Sequence, residues 1–332
     1  MTVAAVLVIY ALSAAFGAPV LLRRGRWAQR SPRLGITAWM AWCSSVILAL
    51  GLAGLALAVP SGAVSGGLSE WLRTCVMALR AEYATPGGTI LAATGTAFAL
   101  FIAGRSTLAV SAAWLNASRG RNVHRRAVAL TGRRQPGIDA LVVDCDQAAA
   151  YCMPGRHGQI VLTTAALAAL DGSELAAVLA HERAHLRGRH HLIVGAAQGL
   201  ASAFPGVSLF QTTRHEVATL VEMLADDAAA RHHHRATIAT AMVVLAGMRS
   251  PQAALAASGS ATLARVQRLA RPAAPLSTVA LAIGAFTVVA ALALPVSVAV
   301  APALHATQLN FCRTHASTAI TAVQAAGLGG LS

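Results

Sequence analysis

The sequence predicts a membrane protein with four transmembrane helices and one polar domain of α+β structure that is mostly helical. Only 11% of the 332 residues are charged and 56% are hydrophobic, whereas soluble domains carry about 25% charged residues. Basic residues outnumber acids 26 to 12, and every one of them is arginine. In a chain this apolar, such an excess indicates a membrane before nucleic acid. Ten of the 12 acids fall between residues 139 and 227, which predicts a single polar domain between membrane spans.

Four apolar runs are long enough to cross a bilayer, for which about 20 residues suffice. These runs are Thr2 to Leu22, Leu34 to Val59, Thr89 to Leu115 with Arg105 as its one charge, and Leu276 to Leu304. We therefore predict transmembrane helices 1 and 2 within residues 1–60, helix 3 within 89–118 and helix 4 within 275–304.

The arginines of the short loops predict the orientation, because loops rich in positive charge stay in the cytoplasm. Five arginines lie between Arg23 and Arg33, and six lie between Arg119 and Arg134. We therefore expect a multi-pass cell-membrane protein with both termini outside and a cytoplasmic domain over 119–274. Residues 61–88 are then an extracellular loop and 305–332 an extracellular tail. The arginines are explained by topology and attraction to the lipid bilayer, so no direct nucleic acid binding is expected.

One motif with the spacing of metal ligands lies in the polar domain. Asp171 and Glu174 have the spacing of a capping box, and the residues that follow favour a helix through Arg187. His181, Glu182 and His185 lie on this helix as H-E-x-x-H. Two histidines four residues apart share one helical face and can hold one Zn²⁺ ion per chain, while the glutamate acts as general base and acid in peptide hydrolysis.

A second helical stretch supplies the third ligand. Glu222 and Asp226 lie one turn apart in it. We predict Glu222 as the third zinc ligand and Asp226 as the acceptor of a hydrogen bond from the outer nitrogen of a ligand histidine. Glu216, Asp227 and the remaining histidines stay open as alternative third ligands.

The H-E-x-x-H helix followed by E-x-x-A-D, formed by Glu222, Ala225 and Asp226, resembles the gluzincin membrane metallopeptidases. Three spans, a polar domain and a fourth span resemble the BlaR/MecR antirepressor family. The resemblance implies a zincin-like catalytic domain, a zinc metalloendopeptidase of the EC 3.4.24 type and signal transduction by cleavage of a cytoplasmic repressor of the BlaI/MecI type. BlaR and MecR carry a penicillin-binding sensor where this sequence has 28 residues, so sensing of β-lactams by acylation is not expected.

Two other functions remain open: an HtpX-like or CAAX-type protease for membrane-protein quality control, and a non-catalytic zinc-binding signal transducer. In the HtpX-like pattern, membrane spans separate the histidine pair from the glutamate. Here one apolar run, Leu192 to Phe210, lies between them, and a single crossing would place Glu222 on the far side of the membrane. We therefore expect a helix in the membrane face or the domain core, interrupted at Pro205 and Gly206.

Several further residues are assigned from chemistry alone. Three short strands precede the zinc helix, and Gln159 to Thr164 is the candidate edge strand for an extended peptide, with an ordinary interior strand as the alternative. His215 and Arg231 are candidate oxyanion stabilisers. His190, His191 and residues 232–234 are expected to be solvated or to face lipid headgroups, with the relay of metal ions as the alternative.

Two expectations concern the outer side and the last span. Cys75 and Cys312 both fall outside in this topology, where a disulfide can form. Residues 261–271 carry Arg265, Arg268 and Arg271 at a spacing of three. They predict either a basic stop before span four or an amphipathic segment at the cytoplasmic headgroups, in a position to pass strain from span four to the zinc domain.

Overall fold

The computed structural model describes residues 1–58, 88–155, 158–247, 258–271 and 274–301, and these are mostly helical. The helices are α1 Thr2–Leu22, α2 Trp27–Arg30, α3 Pro32–Ala58, α4 Gly88–Thr131, α5 Thr164–Ala169, α6 Gly172–Arg187, α7 His190–Ala203, α8 Ser208–Ala229, α9 Arg235–Gly247, α10 Ser258–Ala270 and α11 Thr278–Ala301. The strands are β1 Arg133–Arg134, β2 Leu141–Val143, β3 Ala150–Met153 and β4 Gln159–Thr163.

Four of the described helices, α1, α3, α4 and α11, are long and apolar enough to cross a membrane. They coincide with the four predicted spans. Large apolar side chains such as Ile9, Leu100 and Phe286 are exposed on α1, α4 and α11, which suits contact with lipid. The third helix is longer than predicted: its 44 residues continue from the apolar run into the arginine-rich stretch, because no proline interrupts it.

The chain forms two compact units. Of the described residues, the first comprises 1–15, 44–58, 88–105 and 289–301. The hydroxyl groups of Tyr10 and Ser45 hydrogen-bond to each other and to the carbonyl of Ala291. Gly54 and Gly95 lie against each other so closely that a Cβ on either would clash with the opposite backbone. Small residues and shared hydroxyl hydrogen bonds are the usual means by which apolar helices pack together in lipid.

The second unit comprises Phe16–Cys43 and Ser106–Val288, and it contains a four-stranded sheet in the order β1-β2-β4-β3. Strand β2 runs parallel to β4, and the outer two strands are antiparallel to their neighbours. The prediction that Gln159 to Thr164 forms an edge strand is wrong: β4 lies between β2 and β3, and its residues 160–163 are buried. Within the described residues the edge strands are β1 and β3.

Helix α6 begins and ends as predicted. The Asp171 carboxylate accepts hydrogen bonds from the backbone N–H groups of Ser173 and Glu174, and the Glu174 carboxylate accepts one from Asp171 N–H, which completes the capping box. Leu179 on this helix packs against Ile160 and Leu162 of β4. The cap and this apolar contact together fix the helix on the sheet.

The apolar run between the two sequence motifs forms a helical hairpin, and the interruption predicted at Pro205 and Gly206 is confirmed. On the outgoing helix α7, the carbonyl of Leu192 accepts a hydrogen bond from the Trp114 indole of α4 at 3.0 Å. On the returning helix α8, Thr213 accepts a hydrogen bond from the Cys43 thiol of α3 at 3.2 Å. Because the chain turns back, Glu222 returns to α6.

Candidate metal centre

His181, His185 and Glu222 each bring one ligand atom to a common point, and these atoms all lie within 4.8 Å of one another. The Nε2 atoms of the two histidines are 3.1 Å apart. Glu222 oxygens lie 3.5 Å from His181 Nε2 and 3.4 Å from His185 Nε2. Bonds of about 2.0 Å to a tetrahedral zinc ion require ligand atoms about 3.3 Å apart. The donor set and its spacing therefore fit zinc.

The outer nitrogens of both histidines have partners. His181 Nδ1 lies 3.0 Å from Asp226 Oδ1, the contact that the sequence predicts for Asp226. His185 Nδ1 lies 3.1 Å from Nδ1 of His190. The expectation that His190 is solvated is wrong, since the residue is only 5% exposed. Contacts of this kind fix the orientation of a ligand ring.

Helical spacing alone does not bring His190 to His185, and the turn between α6 and α7 explains the contact. Arg189 adopts the left-handed conformation with φ 48°, so the chain changes direction just before α7 begins at His190. A Cβ at Gly188 would clash with the His190 ring. A side chain at 188 would thus displace the ring, and the turn places His190 beside the metal ligands.

Arg265 of α10 binds both carboxylates of α8. Its guanidinium lies 2.9 Å from Glu222 Oε2 and donates to the Asp226 oxygens at 2.8 and 2.7 Å. Burial of Leu269 against Ala177 and neighbouring apolar residues holds α10 in this position. The prediction that α10 directs its arginines to lipid headgroups is thus wrong for Arg265, because paired acids attract it inward.

The alternative third ligands are engaged elsewhere. Asp227 accepts two hydrogen bonds from Arg268, at 2.9 and 2.7 Å, so this arginine also faces the protein. Glu216 lies 3.2 Å from the Arg23 guanidinium. Among the described residues, the metal-ligand cluster consists of His181, His185 and Glu222.

The charges of the centre follow from these contacts. Burial lowers the pKa of His181, but its hydrogen bonds to Asp226 and Glu222 outweigh this effect and raise the pKa to about 9. Burial lowers the pKa of His185 to about 4. Burial raises the pKa values of Glu222 and Asp226, but hydrogen bonds and charge pairs with His181 and Arg265 bring both down to about 2. Both carboxylates are therefore ionised at neutral pH, and His181 must release its proton when a cation binds.

Glu182 faces a cavity of about 390 Å³ that the three ligands also line. Strand β3 forms one wall through Ala150, Tyr151 and Cys152. Burial raises the pKa of Glu182, and the Glu222 charge acts in the same direction. Burial and the nearby Glu182 raise the pKa of the Cys152 thiol to about 12. A glutamate of raised pKa beside the ligands is suited to accept and return a proton.

Neither predicted oxyanion stabiliser lies on this cavity. His215 is exposed on α8 next to Arg214, and Arg231 lies on a different recess. Arg265 lines the cavity instead. The regular spacing of the α10 arginines singled out Arg265 in the sequence, although not as a residue of this site. No pattern in the sequence singled out His190 as a partner of His185. The predicted disulfide between Cys75 and Cys312 lies outside the described residues.

A helix-borne histidine pair with a carboxylate from a second helix is the arrangement typical of metallopeptidases. Residues 113–218 match the model of Peptidase family M48, and this match supports metallopeptidase activity. The matched segment includes His181, Glu182 and His185 and ends before Glu222. No curated protein and no solved structure matches the chain.

Proposed function

We propose that this chain is an integral membrane zinc metalloendopeptidase in which His181, His185 and Glu222 hold one zinc ion. The convergence of their three ligand atoms carries the proposal, with Asp226 and His190 orienting the two rings. When bound, zinc supplies a Lewis acid that polarises a peptide carbonyl and promotes ionisation of water.

Glu182 is the proposed general base and acid. It follows His181 directly and faces the cavity, where its raised pKa brings proton transfer closer to neutral pH. Its carboxylate takes a proton from the attacking water and delivers it to the amine that leaves when the peptide bond breaks. Arg265, the guanidinium on the cavity wall, holds Glu222 and Asp226 in place during this step.

The proposed substrate is an extended peptide segment that pairs with β3. This strand pairs with β4 on one side, and its residues 150–152 line the cavity. An unpaired strand edge offers backbone donors and acceptors that recognise any extended peptide. The chemistry therefore favours an endopeptidase that acts on unfolded or flexible segments.

The resemblance to BlaR and MecR supports regulated cleavage of a cytoplasmic repressor, with the catalytic domain in the cytoplasm. An HtpX-like role in clearing membrane proteins is equally compatible with the M48 match. The contacts of the α7–α8 hairpin with α3 and α4, two helices apolar enough to span a membrane, keep the centre close to the membrane in either role. The two roles differ in the substrate.

Cells that carry the wild-type chain or Glu182→Gln are compared by quantitative proteomics of the membrane and cytoplasmic fractions. A soluble DNA-binding protein that accumulates in the variant supports the repressor role, whereas accumulation of membrane proteins supports quality control. The purified Glu182→Gln chain should retain its metal, as measured by elemental analysis. If cells with this variant still signal fully and no protein accumulates, the chain is a non-catalytic transducer.

A further inference from the structure

We propose that a second recess in the same unit binds the phosphate group of an anionic phospholipid. This basic recess has a volume of about 910 Å³ and is lined by Arg30, Arg33, Arg183, Arg187 and Arg231. It lies on the faces of α6 and α8 turned away from the metal ligands: Arg183 and Arg187 alternate along α6 with the cavity residues Glu182 and His185.

The arginines of the basic recess carry an excess of positive charge. Asp227 is the only acid among the described lining residues, and it is already paired with Arg268 at 2.7 Å and with Arg235 at 3.7 Å. Arg183 reaches Asp139 at 3.4 Å, but that carboxylate is 86% exposed and lies outside the recess. Arg30 donates to the backbone carbonyls of residues 274 and 275.

The other three arginines, Arg33, Arg187 and Arg231, pair with no acid in the part of the chain that the structure describes. They are exposed around a concave surface. Arginine binds phosphate oxygens with two parallel N–H donors, which makes it the preferred residue for such an anion. The recess therefore has the chemistry of a phosphate site.

The location identifies a lipid as the source of that phosphate. Arg30, Ser31, Pro32 and Arg33 line the recess at the point where α3 begins, and α3 is apolar enough to span a membrane. Phospholipid phosphates lie at this level, at the end of the hydrocarbon layer. Ile193 and Leu224 add apolar surface to the lining, which suits the glycerol and first acyl carbons of a lipid.

This proposal does not depend on the proposed peptidase function, and a binding measurement tests it without a cleavage assay. The full chain is purified in an uncharged detergent and titrated with short-chain phosphatidylglycerol, and with phosphatidylcholine of the same acyl chains. We expect saturable binding of one phosphatidylglycerol, at least about ten-fold tighter than phosphatidylcholine. Equal binding of the two lipids would overturn the proposal.

Two double variants distinguish binding of the lipid at the basic recess from general attraction of the lipid to the positive charge of the chain. Arg187→Gln with Arg231→Gln should weaken phosphatidylglycerol binding about ten-fold or more. The matched control, Arg119→Gln with Arg126→Gln, removes the same charge from exposed positions of α4 that do not line the recess, and should change binding less than two-fold. An equal loss in both double variants would reject the site.

Soluble competitors distinguish the source of the phosphate. Inorganic phosphate and glycerol 3-phosphate should compete only at concentrations far above that of phosphatidylglycerol, and tight binding of either would replace the lipid by a soluble ligand and overturn the proposal. If the recess variant is unfolded by circular dichroism, the single substitution Arg33→Gln takes its place. It removes a third recess arginine, and unchanged lipid binding would then count against the site.

Discussion

The two sides of α6 and α8 differ in whether their charged groups are paired with groups of opposite charge. On the side of the metal centre, both acids of α8 have cationic or imidazole partners: Glu222 and Asp226 share Arg265, and both also lie beside His181. On the side of the basic recess, arginines such as Arg187 and Arg231 face a cavity with one acid, Asp227, which is paired with Arg268 and Arg235. The same two helices therefore present a compensated site and an uncompensated one.

The difference follows from the scarcity of acids. The chain has 12 acids against 26 arginines, and two of the acids of α8, Glu222 and Asp226, are placed at the metal centre. Compensated charges favour fixed geometry, as metal binding requires. Uncompensated arginines attract a mobile anion from outside the protein. His190 lines the recess and contacts His185, so it is the residue that belongs to both sides.

The largest expected effect is on the chemistry of the compensated side. Glu182→Gln should lower peptide cleavage by about a thousand-fold, because a positioned general base contributes a factor of this order. Zinc content should stay at one ion per chain, since the substitution removes no ligand. Cleavage of a fluorogenic peptide and elemental analysis of the purified protein measure the two quantities. Loss of the metal together with activity would show that Glu182 has a different role.

The second largest effect is expected when the cation that neutralises the two carboxylates of α8 is removed. Arg265→Met should lower the free energy of unfolding by about 3 kcal/mol, because it leaves the carboxylates of Glu222 and the buried Asp226 without their guanidinium. Chemical denaturation of the full chain in detergent measures this loss. Arg271→Met, at an exposed position just after the same helix, is the control and should have little effect. A similar loss of stability in both variants would contradict the stabilising role of the contacts between Arg265 and the two carboxylates.

The residue shared by both sides should show an intermediate effect. His190→Ala should weaken zinc binding about ten- to a hundred-fold, because it removes the partner of the outer nitrogen of His185. Competition with a chromogenic chelator measures the affinity. His190→Gln keeps a hydrogen-bonding group and should recover part of it, while His191→Ala, one residue along, should leave the affinity within two-fold. Unchanged zinc affinity in His190→Ala would show that His190 does not support the metal centre.

The smallest effect is expected at the turn that places His190. Gly188→Ala should weaken zinc binding by up to about ten-fold, less than His190→Ala, because the ring can shift to admit the new methyl group. Gly172→Ala at the other end of α6 meets no atom within 4 Å and should bind zinc as the wild type does. The same chelator titration compares them. A larger loss in Gly172→Ala than in Gly188→Ala would refute this account of the turn.

The sequence predicted those parts of the site that depend on local spacing. His181, Glu182 and His185 share a helix whose first and last residues are predicted by the residues next to them in sequence. Asp226 follows Glu222 by one helical turn. The prediction that β4 is an edge strand was wrong, because the length and apolar character of a strand do not reveal its neighbours in the sheet. Arg265 was expected at the headgroups, since an amphipathic helix shows which residues share a face but not what that face meets.

By itself, the sequence determined four apolar helices long enough to span a membrane, a capped H-E-x-x-H helix and a second helix with the carboxylates, because each depends on contacts within a few residues. Only the tertiary structure decided that the α7–α8 hairpin turns back, that Arg265 clamps Glu222 and Asp226, that β3 borders the cavity and that five arginines surround one recess. These features join residues distant in sequence, and their partners are selected by packing and by the pairing of buried charges, which no local pattern specifies.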